Sequence, residues 1–146
     1  MKYNFIFPLF LLSFLTFLPS CGTKSQKTSL AKKWEFDTTA YKQYFREIYD
    51  KKTKPEQLAI TETTINQSAD MLISMKLSLS ADGNADFNLQ GNASKGKWDF
   101  VEDKKLLVLQ ESGKTDKKSF EVKEISSDKM TLIVDENTLL FFKEIK

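Results

Sequence analysis

The chain has 146 residues, 40% of them hydrophobic and 29% charged, which fits one ordinary folded domain. Its 22 Lys and Arg against 20 Asp and Glu leave a net charge of +2, too small an excess for the basic patch of a nucleic-acid binder. It holds no His and one Cys, which excludes Ser-His-Asp and Cys-His catalysis, an internal disulfide and a thiolate metal cluster; an enzyme, a cofactor and a metal are not expected.

At the N-terminus, Lys2 precedes an apolar run from Phe5 to Leu18, broken only by Ser13 and Thr16. Such a run is short for a membrane span, which needs ~20 residues, and suits a signal-peptide core. It ends at Leu18-Pro19-Ser20-Cys21-Gly22, which resembles the lipobox of bacterial lipoproteins, with Pro19 where a small or branched residue is usual. The resemblance implies cleavage before Cys21, diacylglyceryl transfer to its sulfur and acylation of the new amine. Residues 1–20 are then a signal peptide and Cys21 the lipid attachment site. Gly22 to Ser29 carries no apolar and no acidic residue, so residues 21–32 are expected to form a polar tether. Extended from Cys21 to Lys33 it would reach ~40 Å. The lack of acidic residues after Cys21 leans toward an outer-membrane anchor facing the periplasm.

The domain itself is expected over residues 33–146. Lys33 to Asp37 alternates Trp34 and Phe36 with charge, a short half-buried strand. Tyr41, Tyr44, Phe45, Ile48 and Tyr49 then follow helical spacing, predicting a helix over Thr39 to Tyr49. Pro55 opens a second helix whose apolar face carries Leu58, Ile65, Ala69 and Leu72. From Ile73 the period becomes two: Ile73, Met75, Leu77 and Leu79 alternate with polar residues. Asp82-Gly83-Asn84 is a hairpin turn, and Ala85, Phe87 and Leu89 continue the alternation. Gly91 to Gly96 is read as a polar connection. Strands follow around Trp98 and Phe100, Leu106 to Gln110, Phe120 to Ile125, Met130 to Val134 and Leu139 to Ile145. About eight strands result, with turns at the rhythm of an antiparallel sandwich or barrel.

This layout resembles the lipocalin-like domains of small bacterial lipoproteins. Lys33-Trp34-Glu35-Phe36 is similar to the Trp-bearing first strand of calycin barrels. Gly96-Lys97-Trp98-Asp99-Phe100 with Leu106 to Leu109 is similar to their G-x-W and L-x-L hairpin. Phe120 to Ile125, Met130 to Val134 and Leu139 to Lys143 match the closing meander. Two departures stand out: Ala31 and Lys32 occupy the place of the usual Gly, and the helical insert is long. The expected fold is mainly β: an antiparallel up-and-down barrel, lipocalin-like, with a helical pair between strands 1 and 2.

Several patterns invite chemistry. Asp82, Asn84, Asp86 and Asn88 have calcium-loop spacing, but Phe87 and Ala93 stand where such a loop needs Gly and Glu, so a hairpin turn is expected. Asn66-Gln67-Ser68 and Asn92-Ala93-Ser94 match N-glycosylation acceptors by chance, and Asp37-Thr38-Thr39 reads as a helix cap more readily than as an O-glycosylation site. Asp99, Glu102 and Asp103 are close in sequence, though a strand and turn would point them to solvent. The stripe Tyr41, Tyr44, Phe45 and Ile48, with Trp34 and Trp98, forms the candidate ligand-binding set, because Tyr combines an apolar body with a polar tip. Two functions fit. One is a membrane-anchored barrel binding a small apolar or amphipathic ligand. The other is a non-enzymatic structural or interaction lipoprotein with a filled barrel.

Overall fold

Alternation at β1 (Lys33–Phe36) sends Trp34 and Phe36 inward and leaves Glu35 outside. The same period of two governs β2 (Lys76–Leu79), β3 (Asn84–Leu89), β4 (Asn92–Val101) and β5 (Leu106–Glu111); β6 (Lys117–Ile125) follows, and β7 (Lys129–Asp135) and β8 (Thr138–Glu144) are buried at successive positions, Met130 to Leu132 and Leu139 to Leu140. The structure, a computed structural model, describes residues 25–50, 58–89, 91–135 and 138–146. The expected signal peptide, Cys21, Pro55, Gln90, Glu136 and Asn137 lie outside the described residues. Each strand pairs antiparallel with the next, and β8 returns to β1, closing a barrel in the order β1 to β8. The closing seam aligns Trp34 with Glu144, Glu35 with Lys143 and Phe36 with Phe142. On its outer face Lys143 meets Glu35 at 3.3 Å. Closure leaves none of the eight described strands as a sheet edge.

Three α-helices, α1 (Gln26–Leu30), α2 (Thr38–Asp50) and α3 (Leu58–Leu72), and a single 3-10 turn at Glu102–Lys104 complete the described fold. The pair α2 and α3 lies between β1 and β2 in sequence, as the change of period requires. Asp37 starts α2, its Oδ1 accepting from the Ala40 N–H at 3.0 Å. The helices α2 and α3 are joined by Arg46, which donates to Glu62 through two of its guanidinium nitrogens, Nε at 2.9 Å and Nη2. That bond, more than the surrounding charge, holds the Glu62 carboxyl below its ordinary value.

An up-and-down meander has two ends. The β2–β3, β4–β5 and β6–β7 turns gather at one, which α1 covers. The β3–β4, β5–β6 and β7–β8 turns gather at the other with α2 and α3. Between them the inward rows are filled by Trp34, Phe36, Leu77, Leu79, Phe87, Trp98, Phe100, Leu107, Leu109, Met130, Leu132 and Phe142, all buried.

Two segments differ from the sequence reading. Of residues 91–96, read as a connection, only Gly91 is in the turn; residues 92–96 are the first half of β4, with Asn92 opposite Leu89, Ser94 opposite Phe87 and Gly96 opposite Ala85. Their polarity hid a strand at a tight place in the wall. A Cβ on Gly96 would fall 1.9 Å from the backbone oxygen of Gln110, so only Gly lets β4 and β5 approach this closely. Residues 25–32, read as part of a tether, are folded. Ser25 caps α1, its Oγ accepting from Lys27 N–H at 3.3 Å, and Leu30 is buried within the core.

Candidate functional site at the barrel mouth

Whether the barrel can hold anything is decided at its two ends. The α1 end is sealed. Leu30 plugs it, and Trp34 Nε1 donates to the Leu30 carbonyl at 2.9 Å. Lys27 Nζ donates to Asp99 at 2.5 Å and lies 5.6 Å above the Trp98 ring. Ser25 donates to Glu102, and Lys32 donates to the Ser127 carbonyl and to Glu144, the latter at 3.1 Å. Trp98 Nε1 donates to the Ser80 carbonyl at 2.8 Å. Both indoles are therefore buried in the sealed half with their polar tips satisfied.

The helical end is different. A hollow of about 410 Å³ opens there between the end of α3 and the rims of β3, β6, β7 and β8. Buried Met75 and Leu140 form its floor, and Leu72, Leu89 and Phe120 its walls. Val134 stands at the rim, 45% exposed. Met71 and Ile73, on either side of Leu72, are 76% and 58% exposed. Ile73 was expected to begin the alternation; it instead lies in the turn after α3, which ends where Met75 N–H bonds the Leu72 carbonyl. The polar members are Lys118, Ser119 and Thr138. Lys118 sits opposite Leu109 in the β5–β6 register, so it belongs to the inward row just above the core. Nearby, Lys114 meets Glu111 at 2.8 Å. That hydrogen bond is the main cause of a lowered Glu111 carboxyl, with a smaller contribution from the Lys118 charge. The arrangement is an apolar well with one cation on its rim. Volumes of this size, lined by apolar side chains with few polar groups, suit small ligands.

The candidates named from the sequence lie elsewhere. Tyr41 is buried against the rim, its ring 5.3 Å from Phe36 and 4.6 Å from Phe45. Burial raises its phenol above the ordinary value, with a hydrogen bond to Ser68 opposing. Tyr44 and Phe45 are half-buried, and Tyr44 packs at 5.3 Å on Phe141, an outward residue of β8. Ile48 is half-buried on the same helix. Trp34 and Trp98 are in the sealed half. None of these six lines the mouth hollow. Met75, Leu89, Phe120 and Leu140 were legible only as core positions. No periodicity tells an inward side chain that fills the barrel from one that faces a void.

A second hollow, of about 500 Å³, lies on the outer wall of β1 to β4. Lys33, Lys76, Asp86 and Lys95 rim it, and Asn88 Oδ1 is buried there with no hydrogen-bond partner among the described residues. Its lining is mostly the outward, solvated row of the strands. The calcium-like spacing resolves into this wall and its turn: Asp82 accepts from Asn84 N–H at 3.0 Å and from Asn84 Nδ2 at 2.6 Å, and Lys97 donates to Asn84 at 2.6 Å.

Comparison with protein-family models and with curated proteins finds no match. Among solved structures the chain is similar to a DUF4847 family protein from Bacteroides vulgatus. The two share 10% identity, with 77% of this chain and 92% of that one aligned and a TM-score of 0.49. A likeness at that level carries no functional inference.

Proposed function

We propose that this chain is a lipid-anchored protein of the cell envelope, attached through Cys21 to the outer membrane on its periplasmic side. In this reading the barrel mouth binds a small apolar or amphipathic ligand. The observation that carries it is the well walled by Leu72, Leu89 and Phe120 over Met75 and Leu140, at the top of an otherwise filled barrel. The volume admits one acyl chain or one aromatic body, and Lys118 at the rim favours a ligand with an anionic end. Exposed Met71, Ile73 and Val134 extend the apolar surface at the entrance. No catalytic role is assigned.

The second reading, an interaction lipoprotein with a filled barrel, is favoured by the bulk of Trp34, Phe36, Phe87, Trp98, Phe100 and Phe142 inside. The methionines separate the two. Met71 lies at the entrance, Met75 in the floor and Met130 deep in the core. Methyl NMR during titration with fatty acids, sterols and aromatic amphiphiles should move Met75 and Met71 and leave Met130 in place. A screen that moves none of them supports the filled-barrel reading instead.

A further inference from the structure

The docking of α1 fixes which end of the barrel meets the membrane. Ser25 lies four residues beyond Cys21. Four residues span at most about 14 Å, whatever their conformation. Ser25 is itself held to the sealed end, as the cap of α1 and the partner of Glu102. Leu30, Lys27 and Lys32 hold the rest of the segment to the same end through Trp34, Asp99, Ser127 and Glu144. The longest strand, β4, has ten residues. At about 3.3 Å per residue and a tilt near 40°, the wall is roughly 25 Å tall. That exceeds the leash.

We infer that the sealed, α1-bearing end is the membrane-proximal face, resting on the lipid surface, and that the mouth cannot turn down to the bilayer while α1 is docked. This rests on the Cys21 anchor and not on the pocket. It has two consequences. A ligand for the mouth arrives from the aqueous compartment or from a partner facing it, not from the anchoring leaflet. The acyl chains on Cys21 cannot fill the mouth of their own barrel. If α1 is released, the leash from Cys21 to Lys33 lengthens to ~40 Å and this constraint disappears.

The inference is read by lysine acylation and mass spectrometry on the full mature chain in vesicles of neutral phospholipid. Lys104, Lys105 and Lys129 are exposed at the sealed end; Lys117 and Lys118 are exposed at the mouth. Anchoring should lower the reactivity of the first three several-fold relative to the unanchored Cys21→Ser chain, and leave Lys117 and Lys118 unchanged. Equal protection at both ends, or protection of the mouth, overturns the inference. Inserting about 20 Gly and Ser residues after Gly22 adds roughly 25 Å of flexible reach without touching α1 or the barrel, and should abolish the difference. A difference that survives the insertion also overturns it. The mass of the N-terminal peptide reports acylation separately. A chain without acyl mass defeats the anchor reading alone, and the geometry is then read on the same chain coupled through the Cys21 thiol to a maleimide lipid.

Discussion

Trp34 Nε1 and the carbonyl of Leu30 are 2.9 Å apart, which ties the first strand of the barrel to the helix that seals it. Leu30 is fully buried, and its carbonyl also accepts from Lys32 N–H at 2.7 Å. Leu30→Ala should therefore cost about 2–5 kcal/mol, as truncation of a buried Leu does. Trp34→Phe removes one hydrogen bond and part of a ring, about 0.5–1.5 kcal/mol for the bond alone. Hydrogen exchange checks both: residues 26–31 should lose protection before the barrel strands do. Simultaneous loss across the barrel would mean that α1 is an inseparable part of the core.

Gly96 is the second sensitive point. Its missing Cβ is replaced in space by the Gln110 backbone at 1.9 Å, and backbone cannot swing away as a side-chain tip can. Gly96→Ala should destabilise by about 1–3 kcal/mol or more, with urea unfolding as the measure. Gly91 has positive φ with nothing within 4 Å, so Gly91→Ala meets only conformational strain and should cost less.

Alternation was enough to place Met75 to Leu79 and Ala85 to Leu89, because a half-buried strand has to alternate, whereas Leu139 to Phe142 is apolar at every position and shows as a short apolar run after a turn. It failed at Asn92 to Gly96, where the chain is polar on both faces and tertiary closeness, not hydrophobicity, selects the residues. It also failed at α1. Five helical residues have no measurable period, and the available signals were only Ser25 as a cap and the apolar pair Leu30-Ala31. The mouth hollow had no signal, since a void is a relation among side chains from five elements distant in sequence.

The aromatic stripe of α2 divides into a buried member and a flanking one. Tyr41 contacts Phe36 and Phe45 and is buried; Tyr44 is half-buried against Phe141. Tyr41→Ala should cost about 3–5 kcal/mol, the range for large aromatic truncations. Tyr44→Ala should cost less, with about 0.5–1.5 kcal/mol from its ring pairs. Neither lines the mouth hollow, so Tyr44→Ala should leave amphiphile binding intact while Phe120→Ala weakens it. Calorimetric titration of the two variants distinguishes a stripe that packs α2 from one that contacts ligand.

The seal should also respond to acid. The Lys27 hydrogen bond, with the Phe100 backbone N–H second, holds the Asp99 carboxyl below its ordinary value of 3.8. A carboxyl lowered in the folded state contributes stability that is present above the unfolded value and lost as pH falls through the folded one. The Lys27–Asp99 contact thus holds α1 at neutral pH, and its contribution drains away below about pH 3.8. Both side chains are substantially exposed, so the effect is a loosening of α1 and not a collapse of the barrel. Limited digestion with an acid-active protease at pH 3 should cut near Lys27 faster than in the β-strands. Asp99→Asn should bring the α1 docking observed at neutral pH close to the acid state and flatten its pH dependence. If Asp99→Asn leaves a pH-dependent α1 with the same midpoint, the Lys27–Asp99 contact is not what acid releases.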